Sequence, residues 1–440
     1  MAYINKQNRF TNTHKTIREP TRVSLKGIGN LGILLSILSF FKLILTNYRK
    51  YGLLMRVPLM TIKKEEWYSF IAGLFIIFNK CLNVFIIDHI IYNGIINRFI
   101  VSIIFILHEL LIFILNYKKI KHIYLSIWLL SISIIYSLKL LSFYFVRIAE
   151  KENINENKSI NKKENINQTE KDDIIKDNNN SINESNNNIK GNIFNEKHLF
   201  FHFLYFLYAP TLCYQSEYPM LDKRRWSIII RKFVFLILLI IAFLFVMDQC
   251  TVPLIYNLQE SKGIFDFIEN LLTLSFGTIL LWLIFFLATF VLFLPILREL
   301  TLFGDGVFFC DWWNSTTVLE YWRLWNRPVH QWIVRHLYIP LQSRGWSKGW
   351  ALAAVFIASG LIHEYIISSS LKMITGWAFA GMIGQIPMAL IARWIGKSWL
   401  VHRFGNYMFW STFCIIGQPL CILFYYRSIL IQERCNIIKE

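Results

Sequence analysis

The chain of 440 residues has no CxxC pair among its seven cysteines, and most of these lie inside apolar runs. That pattern speaks against a disulfide framework and against a cysteine metal site, and the cysteines read as small core residues. No short apolar core followed by a small-residue cleavage site opens the sequence. Residues 1–27 are polar and basic, with Lys6, Arg9, Lys15, Arg18, Arg22 and Lys26, so a cleavable signal peptide is not expected. This stretch reads as a cytosolic, partly disordered arm. Internal repeats, the usual mark of a transporter, are also missing. Acidic residues are scarce, 28 against 46 basic ones, for a net charge of +18. The basic residues sit mostly between apolar runs, which points away from nucleic acid and toward lipid headgroups or an anionic substrate.

Apolar residues are abundant: the chain is 55% hydrophobic and 16% aromatic, with a mean hydropathy of +0.42. A soluble domain averages about 45–50% apolar residues, and the excess here is gathered in long runs. The expected fold class is an all-α integral membrane protein. A span needs roughly 20 apolar residues to cross about 30 Å of hydrocarbon. Runs of that kind fall at 31–47, 68–89, 98–117, 122–146, 228–247, 268–294, 350–370, 373–395 and 404–426, which predicts about nine transmembrane helices. The count becomes eight if the short first run only lies on the surface. With a cytosolic N-terminus, the loops at 295–349 and 396–403 are cytosolic and rich in Lys and Arg, as the positive-inside tendency expects. The connections YRKYGLLMR and YKKIKH point the other way.

Residues 149–198 are dense in Asn, Lys, Glu and Asp with almost no aromatics, and read as a disordered low-complexity linker. The linker separates N-terminal transmembrane helices at 28–148 from a core at 199–430 that holds the chemistry, with a tail at 431–440. Just after it, residues 201–220 are apolar but short and end at Pro210 and Pro219. They predict an interfacial helix followed by an extended turn, with Tyr214 and Tyr218 as headgroup anchors.

The long loop between Leu294 and Gly349 is too aromatic for a plain connection, since seven of the 15 tryptophans lie between Trp312 and Trp350. Trp322, Trp325, Val329 and Trp332 recur at near-heptad spacing, as the apolar face of one amphipathic interfacial helix would. Arg323, Arg327, Arg335, Arg344 and Lys348 are assigned to the opposite surface. Two readings stay open: a lipid-headgroup anchor, or a site for an anionic, adenine-bearing molecule whose phosphates arginines clamp and whose base an indole stacks upon. Asn326 precedes Arg327 and Pro328, where proline disfavours helix in the preceding residue. The helix is expected to restart there, with Asn326 either as its N-cap or as an amide available to a substrate. His330 and His336 read as packing or interfacial histidines.

His363 differs in kind. It lies about a dozen residues into an apolar run, near the middle of a bilayer at 1.5 Å per residue, where ionisable groups are costly and usually functional. A buried neutral imidazole remains a proton acceptor. Glu364 projects about 100° away, as a supporting polar group or a packing hydrogen bond. His108 and Glu109 form a second HE pair without an aromatic, basic platform before it, so the dipeptide alone is a weak signal. Met382 and Gln385 are spaced to share a helix face, and a buried glutamine needs a partner from a neighbouring helix or a substrate. Gly381 and Gly384 would let another helix approach closely.

These residues resemble the membrane-bound O-acyltransferase family, in particular its diacylglycerol O-acyltransferase 1 branch. FFCDWWN, with Phe308, Phe309, Asp311, Trp312, Trp313 and Asn314, looks like that branch's FYxDWWN motif with Phe309 in place of tyrosine. YWRLWNRPVHQWIVRHLYIP, LIHEYIIS, GMIGQIPMAL, FLYAPTLCYQ and IIGQPL are similar to the same branch. The resemblance implies nine transmembrane helices around a buried reaction chamber, and a homodimer formed through the N-terminal arm in the endoplasmic reticulum membrane. By resemblance His363 is the catalytic histidine, with Asn326 near it, and Glu364, Met382 and Gln385 line the reaction centre. The run Trp322, Arg323, Leu324, Trp325, Asn326, Arg327, Pro328, Val329 and His330, with Tyr338, matches an acyl-CoA contact region, and residues near Ser142 to Glu150 match another. The family's basic residue in the next span falls on Leu352, and Lys348, one turn away, could substitute for it.

The implied activity joins acyl-CoA, a co-substrate, to the free hydroxyl of diacylglycerol and makes triacylglycerol, with no cofactor and no metal. A sterol O-acyltransferase, which shares DWWN and HEY, is the alternative, and a non-enzymatic lipid transporter a more distant one. The residues do not fix which alcohol accepts the acyl group.

Overall fold

The computed structural model describes residues 30–54, 62–90, 94–172, 196–259, 263–395 and 399–439. The named elements among the described residues are all helices, and an isolated antiparallel bridge joins Met220 to Phe303. The first four are α1 (Asn30–Tyr51), α2 (Lys64–Ile90), α3 (Gly94–Lys119) and α4 (Ile123–Asp172). After the short α5 (Glu196–Tyr208), α6 (Trp226–Val246) passes through a π turn into α7 (Val252–Gln259). In the same way α8 (Ile264–Phe286) passes through a π turn into α9 (Leu294–Thr301). The loop region holds α10 (Val318–Trp325), α11 (Arg327–Ile333) and α12 (Ile339–Ser343), and leads into α13 (Lys348–Leu371), which carries His363. The chain closes with α14 (Trp377–Ile383), α15 (Gln385–Ile395), α16 (Trp399–Ser411) and α17 (Gln418–Lys439).

Among the described residues seven helical segments are long and apolar enough to cross a membrane: Lys64–Asp88, Ile100–Lys119, Ile123–Glu150, Trp226–Ile255, Ile264–Thr301, Lys348–Leu371 and Phe404–Ile429. They coincide with seven of the nine expected runs. The other two are helical as well. The run at 31–47 lies in α1, and the run at 373–395 is divided into α14 and α15 at Gly384. A Cβ at Gly384 would sit 3.2 Å from the Ala380 carbonyl oxygen, while a Cβ at Gly381 would meet nothing within 4 Å. The expected close helix approach at Gly381 is therefore not found among the described residues.

α4 continues as helix to Asp172, so residues 149–172, expected as disordered linker, are helical. An established helix extends without a new nucleation cost, and Glu, Lys and Gln are good helix formers. The rest of the linker and the arm at 1–27 lie outside the described residues.

α5 ends at Tyr208 and an extended segment follows, as the prolines predicted. Tyr214 and Tyr218, however, do not anchor at headgroups. Tyr214 is buried in a core that joins Cys81, Val101 and Phe143 of the first helices to Phe203 and Phe206 of α5. Its ring meets Phe143 edge-on at 4.9 Å, and Tyr218 stacks on His202 at 5.3 Å. The phenol oxygens face inward, Tyr214 to His202 Nδ1 at 3.1 Å and Tyr218 to the Gln215 amide at 3.1 Å. Lys139 of α4 fastens the same corner, donating to the carbonyls of Phe206 and Ala209 at 2.8 and 2.6 Å.

Candidate active site

The aromatic motif is packed into a buried cluster. Phe308, Trp312 and Trp313 are buried with Phe286, Tyr321, Trp325, Phe356 and Met382, so one cluster ties α8, α10, α13 and α14 together. Trp282 of α8 stacks on Trp325 at 4.2 Å and 14°, and Trp312 meets Trp282 edge-on at 4.8 Å. The Trp313 carbonyl accepts from Asn406 Nδ2 at 2.8 Å and from Trp410 Nε1 at 3.0 Å. The backbone of the motif is pinned to the loop helices by Cys310 N donating to the Leu324 carbonyl and Arg327 N to that of Phe308. Asn314 is exposed, and Phe309 packs against the cluster.

Asn326 ends α10 and caps α11, its Oδ1 accepting from the Val329 amide at 3.2 Å. The N-cap reading of the sequence is thus realised. The break there overturns the single amphipathic helix. Trp325 is buried in the aromatic cluster, Trp322 donates Nε1 to Gln385 Oε1 at 2.6 Å, and Trp332 donates to the Leu138 carbonyl at 2.8 Å. Trp322 and Trp325, both on α10, join the aromatic cluster, while Trp332 lies beyond the turn at Asn326 and reaches α4, so the three indoles do not share one lipid face. Arg335 also leaves the expected basic surface: it is 5% exposed and donates to the Tyr214 carbonyl at 2.8 Å. Arg323, Arg344 and Lys348 are exposed, and Arg327, Pro328, Val329, His330 and Tyr338 are half-buried. Leu324 and Leu352 pack against the aromatic cluster.

The loop helices are clamped to α4. Ser142 Oγ lies 2.8 Å from His336 Nε2 and accepts from the Tyr214 amide at 2.8 Å. Burial, reinforced by the adjacent Arg335 guanidinium, pushes His336 down to about 3, and burial with Arg327 and Arg323 pushes His330 down to about 4. A folded-state value below the unfolded one near 6.5 gives stability that is present above 6.5 and lost as pH falls toward the folded value. His336 alone should withdraw about 2 kcal/mol by pH 5. The melting temperature of the purified protein should fall between pH 7 and pH 5, and less steeply in His336→Gln.

His363 stands on α13 with its ring exposed, and its Nδ1 lies 2.7 Å from the Ser359 carbonyl oxygen. A carbonyl oxygen only accepts, so Nδ1 carries the proton and Nε2 keeps the basic lone pair, with no hydrogen bond to it among the described residues. Glu364 turns to the far side. Its carboxylate accepts from the backbone amides of Gly376, Ala378 and Phe379 at 2.7, 3.0 and 3.2 Å, from Tyr425 Oη at 2.8 Å, and from Ser368 Oγ. It serves as the cap that α14 lacks in its own sequence, because Gly376 at the N-cap position has no side chain to offer.

α14 lies close against α13 at Gly360, where a Cβ would approach Phe379 Cδ2 at 3.0 Å and Met382 Cβ at 3.3 Å. Gly360 precedes His363 by three residues on the same side of the helix, so Met382 comes to the histidine's side of α13. Gln385 opens α15, and its Nε2 rests weakly on the Gly381 carbonyl at 3.4 Å and Met382 Sδ at 3.5 Å. No hydrogen bond joins His363 directly to Asn326 or Gln385 among the described residues. Sequence reasoning missed Gly360, Ser359 and Tyr425. A glycine one turn before a reactive histidine was the available signal for the first, and the other two carried none. Gly360→Val should overpack this contact at a cost of about 1–3 kcal/mol and depress turnover, both readable from a thermal melt and an initial-rate assay.

The structure thus combines long apolar helices, an imidazole with one unengaged ring nitrogen, and an aromatic loop region. The sequence profile of the membrane-bound O-acyltransferase family matches residues 192–425, and the chain belongs to that family as a multi-pass membrane protein. It is similar to diacylglycerol O-acyltransferase 1 of Corylus americana, 42% identical over 228 residues, which cover 51% of this chain and 42% of that protein. Diacylglycerol O-acyltransferase 1 of Arabidopsis thaliana is 38% identical over 228 residues, covering 51% and 44%. The Bos taurus protein of the same name is 39% identical over 233 residues, covering 52% and 47%. The chain thus spans under half the length of these curated relatives.

Proposed function

We propose that the protein transfers the acyl group of acyl-CoA directly to the free hydroxyl of diacylglycerol, with His363 as general base. The observation that carries this reading is the bond from His363 Nδ1 to the Ser359 carbonyl, which leaves Nε2 as an unengaged proton acceptor on a helix long and apolar enough to cross a membrane. The names of the similar proteins support the same choice of acceptor over a sterol.

In the proposed reaction Nε2 takes the hydroxyl proton as the alcohol oxygen attacks the thioester carbonyl. The C–S bond breaks, the new ester forms, and the proton passes from Nε2 to the departing thiolate, so free CoA and triacylglycerol leave together. No acyl-enzyme forms. Acyl-CoA is a co-substrate, and neither a cofactor nor a metal takes part. Arg323, Arg327, Arg344 and Lys348 would hold the phosphates, with Trp322, His330 and Tyr338 beside them. Gln385 Nε2 is loosely held and can turn to the developing oxyanion, a contribution of about 3 kcal/mol. Asn326 would act through the turn that it caps. Residence in the endoplasmic reticulum membrane, surrounded by membrane lipids, and a homodimer through the N-terminal arm belong to the same reading.

The test is an acceptor panel on the purified protein with one acyl-CoA. Release of free CoA is expected with diacylglycerol and little with a sterol, retinol or a fatty alcohol. A sterol that outpaces diacylglycerol, or no release with any alcohol, would sink the assignment.

A further inference from the structure

The outward side of α2 carries two side-chain amides in the middle of an apolar segment. Phe75, Asn79, Asn83 and Ile86 follow one another at spacings of four, four and three, which is one face of a helix. That face turns away from the bundle: Phe75 is 67% exposed, Ile86 46%, and Asn79 is exposed as well, with Asn83 half-buried. Asn83 Nδ2 donates to Asn79 Oδ1 at 2.7 Å, and His108 Nε2 of α3 lies 3.3 Å from the same oxygen. Asn79 Nδ2 and Asn83 Oδ1 make no hydrogen bond among the described residues.

These groups lie deep. Asn79 sits about 22 Å and about 14 Å from the two ends of the apolar segment Lys64–Asp88, at about 1.5 Å per residue. His108 sits about 12 Å and about 16 Å from the ends of Ile100–Lys119. Hydrocarbon supplies neither donors nor acceptors, so an amide left unpaired in it is costly. The polar residues next to them in sequence are met within the chain: Lys80 donates Nζ to Glu109 Oε1 at 2.6 Å and to Ser137 Oγ at 2.7 Å. The helices thus pair their inward polar groups and leave an amide pair facing out.

What meets that pair must bring both a donor and an acceptor to the same depth. Acyl chains bring neither, and lipid headgroups lie outside the hydrocarbon. The arm at 1–27 is polar and basic, and its charges are costly there. A second copy of the chain, inserted in the same orientation, carries the same asparagines at the same depth. An amide is donor and acceptor at once, so a face with Nδ2 and Oδ1 to spare is complementary to itself across a two-fold axis normal to the membrane. Asparagine side chains bond across transmembrane helices in this way. We propose that the outward face of α2, centred on Asn79 and Asn83 and flanked by Phe75 and Ile86, is a contact between two copies of this chain within the membrane. It is separate from a contact through the N-terminal arm, and it does not depend on the reading of His363.

The test uses the purified full chain in phosphatidylcholine vesicles. Self-association is read from energy transfer between donor- and acceptor-labelled copies as the lipid-to-protein ratio is raised. Asn79→Leu/Asn83→Leu should melt like the wild type and associate about tenfold more weakly. In a second measurement Phe75→Cys, in an otherwise wild-type chain, is oxidised with copper phenanthroline in the same vesicles, and the linked peptides are identified by mass spectrometry. Phe235→Cys on α6, where the phenylalanine is 54% exposed, is the control. Two copies should become linked at position 75 and not at position 235. The proposal is overturned if the wild type stays monomeric at every ratio, or if the double variant associates as tightly as the wild type. It is also overturned if no link forms at position 75, or if both positions link equally, which marks random collision. Should the double variant not fold, the cross-link alone decides.

Discussion

His363→Ala should lower kcat by about 10²–10⁴-fold, the range that general-base help supplies, while the melting temperature and the KM for acyl-CoA stay near wild type. The imidazole is exposed, and its bond is to the Ser359 carbonyl on the preceding turn of its own helix. Its removal leaves no cavity, and exposed substitutions of this kind usually change stability by less than about 0.5 kcal/mol. The cationic loop surface is built by other residues and should keep its affinity. Parallel assays of initial rate and thermal melt on the same preparation check both halves. A large loss of stability together with the lost activity would instead make His363 a structural residue.

Glu364→Gln should act differently, lowering stability and turnover together. The carboxylate accepts from three backbone amides, a phenol and a serine. An amide offers one oxygen in place of two and turns an NH2 group toward donors. Leaving buried donors unsatisfied costs about 1–3 kcal/mol each, so a loss of roughly 2–4 kcal/mol is expected where one or two go unmet. α14 would then lose its fixed start, and Met382 and Gln385 their place beside α13. Turnover should drop by more than about tenfold. Tyr425→Phe removes a single bond to this carboxylate and should cost about 1 kcal/mol. Were Glu364 the base, Glu364→Gln would lose activity without losing stability, and a melt distinguishes the two.

Run length made most of the spans legible, because membrane thickness imposes it on the sequence. Pro328 likewise announced the restart at Asn326, since its ring restricts the residue before it. Periodicity failed where it assumed that one helix carried Trp322 through Trp332: the break at Asn326 separates Trp322 and Trp325, in the aromatic cluster, from Trp332, which reaches the Leu138 carbonyl, and Arg335 is buried. The tyrosines at 214 and 218 look like headgroup anchors by type, but the extended segment folds them inward against Phe143 and His202. At the site, a histidine in an apolar run was visible from residue type alone. What Glu364 does was not, because its partners arrive from a left-handed turn at Gly376 and from Tyr425, 61 residues further on. The ion pair of Lys80 with Glu109, 2.6 Å from Nζ to Oε1 between two helices, was hidden for the same reason.

The most direct measurement is a single turnover of the purified protein with acyl-labelled acyl-CoA and unlabelled diacylglycerol, followed on triacylglycerol, free CoA and protein-bound label together. Direct transfer with His363 as base predicts that labelled triacylglycerol and free CoA appear at one rate, that the protein carries no label, and that His363→Ala forms almost no product. Label that accumulates on the protein before triacylglycerol appears, or product formed by His363→Ala at the wild-type rate, would contradict it.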